Sequence, residues 1–216
     1  MKLGVLVSGS GSNLQALLDA CASPDFPAEV AVVVSNVPTA FALERARKAG
    51  VRAEVLEHKA FGSRADFEQA LGDMLVSAGV ELVCLAGFMR LLGADFLGRF
   101  SGKVLNIHPS LLPAFPGLHG PRQALERGVK LAGCTVHFVD PGMDTGPIIA
   151  QAVVPVLPGD DEAALSARIL KEEHRLYPLV VKLVATGGVR QEGSRVVTTV
   201  GPAVGELSLR NPGMPG

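Results

Sequence analysis

Leu3-Gly4-Val5-Leu6-Val7-Ser8-Gly9-Ser10-Gly11-Ser12-Asn13-Leu14-Gln15-Ala16-Leu17-Leu18 decides the fold class. Leu3–Val7 is a short apolar run with β-branched residues, the pattern of a buried strand. Ser8–Asn13 is a glycine-rich turn, and Leu14–Leu18 returns to helical spacing. Strand, turn and helix in that order form the first half of a βαβ unit. Glycines let backbone approach a ligand closely, and a helix N-terminus offers free N–H groups and positive potential to an anion.

The same alternation continues. Strands are expected at Val30–Val34, Val51–Leu56, Glu81–Ala86 and from Val104. Helices are expected at Phe41–Ala49, ended by Gly50, at Arg64–Ala78, capped by Ser63 and ended by Gly79, and at Ala94–Phe100. The strand from Val104 carries Asn106 and His108 on one face, by its period of two, and stops at Pro109. Ligands of parallel sheets bind beyond the carboxyl ends of strands. That rule puts Gly9–Asn13, Gly87–Leu92 and Asn106–Pro113 on one rim. Beyond Pro113 come a loop at Pro116–Pro121 and a short helix at Arg122–Arg127. Leu131–Val139 and Ile148–Val156 read as two strands, joined closely enough to be antiparallel neighbours. Asp161–Lys182 is a long amphipathic helix. Arg195–Val200 reads as an edge strand and Asn211–Gly216 as a loose tail. The expected class is α/β: a Rossmann-like, mostly parallel sheet flanked by helices, with a C-terminal antiparallel portion.

Bulk properties narrow the function. A chain of 216 residues, 48% hydrophobic, builds one well-cored domain. A net charge of −1 argues against a nucleic-acid binder. Met1–Val7 is too short an apolar run for a signal peptide, and no run approaches the ~18 residues of a membrane span. Cys21, Cys84 and Cys134 lack CxxC spacing and read as buried fillers in a reducing cytoplasm.

The chemistry is then a matter of elimination. Gly9-x-Gly11 begins a dinucleotide fingerprint, but Leu14 stands at the third glycine and Ser35-Asn36 offers no acid for a ribose diol. Lys followed by Ser or Thr, needed for a Walker loop, is absent. A phosphate monoester on Gly11, Ser12 and Asn13 fits; a plain βα turn with a polar cap is the structural alternative. His108, His119 and His137 leave a metal hydrolase open, although none has helical ligand spacing. No G-x-S-x-G supports a nucleophilic serine. Acid–base and electrostatic catalysis remains, with the Asn106 amide beside the His108 imidazole able to stabilise an oxyanion. A carboxylate near that imidazole favours its charged form. Asp144, in a Gly- and Pro-rich loop, is the candidate, unless it only satisfies its own turn.

Gly9-Ser10-Gly11-Ser12-Asn13-Leu14, Leu85-Ala86-Gly87-Phe88-Met89-Arg90, Asn106-Ile107-His108-Pro109-Ser110-Leu111-Leu112-Pro113, Gly133–Asp140 and Asp144-Thr145-Gly146-Pro147 occur together. This set, over Met1–Leu183, resembles the folate-dependent formyltransferases. The Gly-Ser-Asn turn and Glu172-Glu173-His174 resemble the phosphoribosylglycinamide branch. The resemblance implies formyl transfer from the co-substrate 10-formyltetrahydrofolate to the amine of glycinamide ribonucleotide in purine biosynthesis, with no metal and no covalent enzyme intermediate. It implies catalytic roles for Asn106 (formyl oxygen), His108 (proton) and Asp144 (keeping His108 charged). Gly11, Ser12 and Asn13 match the phosphate cradle and Glu173 the substrate glutamate. Arg64, Met89, Arg90, Leu91, Leu92, Asn106, Asp140, Pro141, Gly142, Met143 and Asp144 match the folate side. Leu170 and Gly120-Pro121 depart from the more polar residues of the pattern.

The organisation so implied is one domain over residues 1–188, with a phosphate-binding N-terminal and a folate-binding C-terminal half, and a partly flexible extension over 189–216. The partners are the two small molecules, with no nucleic acid and no membrane, acting on a monomer or homodimer. The tRNA-directed and hydrolytic members of the superfamily carry additional domains for which 216 residues leave no room. A catalytically silent phosphate-binding module is the rival of another class; it has no need of Asn106, His108 and Asp144 together.

Overall fold

A computed structural model describes residues 1–200. The elements run β1 (Lys2–Val7), α1 (Ser12–Cys21), β2 (Glu29–Ser35), α2 (Phe41–Lys48), β3 (Ala53–Val55), α3 (Arg64–Ser77), β4 (Leu82–Leu85), α4 (Ala94–Arg99) and β5 (Val104–His108). Then come α5 (Gly120–Glu126), β6 (Leu131–Phe138), β7 (Ile148–Pro155), α6 (Glu162–Ala185), β8 (Val189–Glu192) and β9 (Arg195–Thr198). Seven strands form one sheet in the order β3-β2-β1-β4-β5-β6-β7. Pairings from β3 to β5 are parallel; β5–β6 and β6–β7 are antiparallel. The expected α/β architecture with its antiparallel C-terminal portion is the observed one.

The period of two in the central strands sorts side chains into two apolar layers. Leu3, Val5, Val7, Cys84, Leu105 and Ile107 pack with α1 and α6. Leu6, Val83, Leu85 and Val104 turn to the other face, under Phe67, Leu71 and Leu75 of α3 and Phe96 of α4. Both faces are covered, which is why these strands read as continuous apolar runs rather than alternating ones. Ser63 caps α3, accepting from the Asp66 N–H at 3.1 Å, and Asp161 caps α6, accepting from the Ala164 N–H at 2.7 Å.

Tyr177, fully buried on α6, places its hydroxyl 3.0 Å from the Leu85 carbonyl and 3.2 Å from that of Leu105. It pins the long helix to the carboxyl end of β4 and the amino-terminal half of β5, one turn from Glu173.

Three expectations need correction. Arg195–Val200 is not an edge strand of the main sheet: among the described residues β9 pairs with β8 alone, in an antiparallel hairpin absent from the sequence reading. Val189 and Val196 of that hairpin pack against the main core. β3 covers only Ala53–Val55 of the expected Val51–Leu56, although on either side of it the Arg52 carbonyl still accepts from the Val33 N–H at 2.8 Å and the Leu56 N–H donates to the Ser35 carbonyl at 2.9 Å. Cys84 and Cys134 are buried as expected, but Cys21 is only half-buried. The tail at Asn211–Gly216 lies outside the described residues. No helix among the described residues is long and apolar enough to cross a membrane.

Candidate active site

The carboxyl ends of β1, β4 and β5 open into a cavity of about 770 Å³. It is walled by the 85–92 segment, β5, the 139–144 loop and one face of α6. Asn106 and His108 reach it from β5. Antiparallel register sets His137 of β6 opposite Asn106 and Thr135 opposite His108. The two strands thus contribute polar side chains at the same two-residue spacing.

His108 is buried. Its Nε2 lies 2.9 Å from the Phe115 carbonyl and its Nδ1 3.3 Å from Asp144 Oδ2. Both partners only accept hydrogen bonds, so the doubly protonated imidazolium satisfies both at once. Asp144 Oδ2 also accepts from the Gly117 N–H at 2.8 Å. Burial pushes the Asp144 carboxyl up, but the His137 hydrogen bond, the Gly117 N–H and the charges of His108 and His137 outweigh it and hold the group below its ordinary range. Phe115 (φ 56°) and Asp144 (φ 55°) both adopt left-handed backbone, uncommon outside glycine and clustered here on the two groups that hold His108.

The sequence reading weighed His137 only as a metal ligand; the structure puts it at the centre. It is buried, and its Nδ1 donates to the Phe138 carbonyl at 2.8 Å. Its Nε2 stands 3.2 Å from Asn106 Nδ2 and 3.7 Å from Asp144 Oδ1. It accepts from the amide when neutral and donates to the carboxylate when charged. Asn106 Nδ2 is itself 3.4 Å from Asp144 Oδ1. Thr135, fully buried, was also missed. Its hydroxyl donates to the Ser110 carbonyl at 2.7 Å and accepts from Leu112 N–H and Gln151 Nε2, both at 3.0 Å, holding the turn that follows His108. The signal was in the sequence: Thr135 and His137 interrupt an apolar strand with the same spacing as Asn106 and His108.

At the other end of the cavity, Asn13 and Glu173 meet. Asn13 Nδ2 donates to Glu173 Oε2 at 2.7 Å, while the buried Asn13 Oδ1 has no partner among the described residues. Burial pushes the Glu173 carboxyl above its ordinary range, against the Asn13 hydrogen bond. For a raised carboxyl, stability is fully present below the unfolded-state value, about 4.3. It is lost as pH rises through the folded-state value. Glu173→Gln removes that slope. Its unfolding midpoint at neutral pH is expected to rise by about 2–4 °C per kcal/mol gained. A variant midpoint equal to that of wild type at every pH from 4 to 8 would contradict this.

Gly11, the N-cap of α1, has φ 72°, and a Cβ there would stand 2.6 Å from Ala42 Cβ and 2.8 Å from its Cα. That neighbour is backbone-anchored and cannot move aside. Gly11→Ala is expected to destabilise the fold by about 2–4 kcal/mol, read as a lowered urea midpoint.

Among the residues expected at the site, Asn13, Met89, Arg90, Leu91, Leu92, Asn106, His108, Asp140, Gly142, Met143, Asp144 and Glu173 line the one cavity. Gly11 and Ser12 form the turn beneath Asn13, and Pro141 lies within the 139–144 loop without lining the cavity. Arg64 does not line it either: its Nε pairs with the buried Glu68 at 2.6 Å, behind Gly93, whose N–H Glu68 also accepts. The cavity draws on residues from both halves of the chain. His119, weighed with His108 and His137 as a metal ligand, is exposed and faces Glu162 at 3.7 Å. Among the described residues no three His, Cys, Asp or Glu are grouped to hold a metal.

A parallel sheet whose rim joins an imidazole–carboxylate–amide cluster to a helix N-terminus defines an acyl-transfer class of α/β protein. The formyl transferase family profile matches residues 1–181, and the chain belongs to that family. It is 47% identical over 190 residues to phosphoribosylglycinamide formyltransferase of Escherichia coli (strain K12), spanning 88% of this chain and 90% of that one. It is 46% identical over 189 residues to the trifunctional purine biosynthetic protein adenosine-3 of Homo sapiens, spanning 88% of this chain but only 19% of that protein. The crystal structure of glycinamide ribonucleotide transformylase 1 from Symbiobacterium toebii superposes with a TM-score of 0.90 at 56% identity, over 92% of this chain and 93% of that one.

Proposed function

We propose that the protein transfers the formyl group of 10-formyltetrahydrofolate to the amine of glycinamide ribonucleotide, a step of purine biosynthesis. The observation that carries the reading is the continuity of one cavity from Asn13 and Glu173 to Asn106, His108 and Asp144. The ribonucleotide phosphate rests on the Gly11-Ser12-Asn13 turn, and Glu173 holds the same substrate. The folate occupies the side lined by Met89–Leu92 and residues 140–144. Its amine-bound formyl carbon then meets the substrate amine beside Asn106.

The neutral amine attacks the formyl carbon, a C–N bond forms, and the carbonyl electron pair moves to oxygen, where the Asn106 amide donates. Collapse breaks the bond from that carbon to N10. His108 gives N10 its proton, and the proton lost by the amine returns to the His108–Asp144 pair, so the site is restored. The three cysteines are free of disulfides, which suits a reducing compartment.

The test is a spectrophotometric assay of folate conversion with both substrates, omitting each in turn. Conversion is expected only with both present. Conversion without the ribonucleotide identifies a hydrolase, and none with both identifies a binding module.

A further inference from the structure

The turn that precedes α1 is held from behind by α2. The Ala42 N–H donates to the Gly9 carbonyl at 3.1 Å, and Arg45 Nε donates to the Ser10 carbonyl at 2.9 Å. Two consecutive carbonyls are thereby drawn towards α2. Both peptides are trans, so the N–H of each unit points opposite to its carbonyl. The Ser10 and Gly11 N–H groups therefore face away from α2, and neither has an acceptor among the described residues. The arginine is itself held in place. Its Nη1 donates to Gln15 Oε1 at 3.1 Å, and its guanidinium carbon lies 5.0 Å from the centre of the Phe41 ring. A second observation points to the same substrate on the far side of the turn: the buried Asn13 Oδ1, without a partner among the described residues, is an acceptor in the cavity wall that fits a donor such as a ribose hydroxyl beside the phosphate.

We propose that Arg45 is a specificity-determining positioning residue for the phosphate of the ribonucleotide. Through the Ser10 carbonyl it aims the Gly11 N–H at the anion, and it brings a fixed positive charge behind a turn otherwise built from neutral groups. This rests on the formyl-transfer reading above. Arg45 does not line the catalytic cavity, so its effect is confined to the phosphate end.

The test measures wild type, Arg45→Ala and Arg45→Lys with glycinamide ribonucleotide and with the phosphate-free glycinamide riboside, alongside thermal unfolding. For the ribonucleotide, Arg45→Ala is expected to raise KM about tenfold or more, the loss typical of a charge-assisted contact. Its kcat should stay within about threefold and its folate KM should not move. With the riboside, kcat/KM is expected to match wild type. Arg45→Lys, which keeps the charge, is expected to recover most of the loss. An unchanged ribonucleotide KM overturns the proposal, as does an equal loss with the riboside. So does a lysine variant as poor as alanine at wild-type unfolding temperature. Wild type inactive on the ribonucleotide overturns instead the formyl-transfer reading.

Discussion

Asp144→Asn is expected to lower kcat by about 10²–10⁴, the range over which positioned acid–base groups act. The substitution is nearly isosteric, and asparagine tolerates the left-handed backbone at this position (φ 55°), so the loop is expected to keep its course. What changes is the pattern of donors. In the wild type all four neighbours of the carboxylate can present N–H groups: Gly117 and His108 to Oδ2, Asn106 and His137 to Oδ1. An amide must turn its NH₂ towards one of these pairs, setting donor against donor in a largely buried site. The His108 Nδ1–H also loses the carboxylate that accepts it.

The same carboxylate gives the folded state an acid limit. Because its folded-state pKa is held low, its stabilising contribution is fully present above the unfolded value of about 3.9. It is lost as pH falls through the lower folded value. The asparagine variant lacks that acid-side loss, so urea midpoints of the two proteins should converge as pH falls below about 4. Turnover close to wild type in the variant would remove Asp144 from the proton path.

The parallel half of the fold was legible because its strands are buried on both faces and its helices end at glycines: Gly50 and Gly79, each at φ 71°, stop helices where the sequence places them. The β8–β9 hairpin was not legible, because four-residue strands exposed along much of their length carry little periodicity. At the site, strand spacing alone placed Asn106 and His108 together. Asp144 needed the resemblance, since a loop aspartate 36 residues beyond His108 has no periodicity to fix it. His137 escaped for another reason. Its role follows from cross-strand register, His137 opposite Asn106, and register between strands is a tertiary property that one strand's sequence does not carry.

That register makes the Asn106 prediction sharper than a simple loss. Asn106→Ala is expected to lower kcat by about 10²–10³, the effect of removing one oxyanion donor, with the fold intact. The amide has two N–H groups. One is fixed on His137 Nε2 at 3.2 Å; the other faces Asp144 Oδ1 at 3.4 Å, the longer contact. The second is therefore the one free to turn to the formyl oxygen, while the first holds the amide's orientation. In its neutral form His137 accepts at Nε2, because the one ring proton is then committed from Nδ1 to the Phe138 carbonyl. His137→Phe should thus lower kcat by about tenfold through Asn106, with little effect in the Asn106→Ala background. His137→Gln carries an acceptor oxygen at the position of Nε2 and is expected to recover most of the rate. Additive losses in the double variant would mean that His137 acts independently of Asn106, and a full-rate Asn106→Ala enzyme would leave the developing oxyanion without its assigned donor.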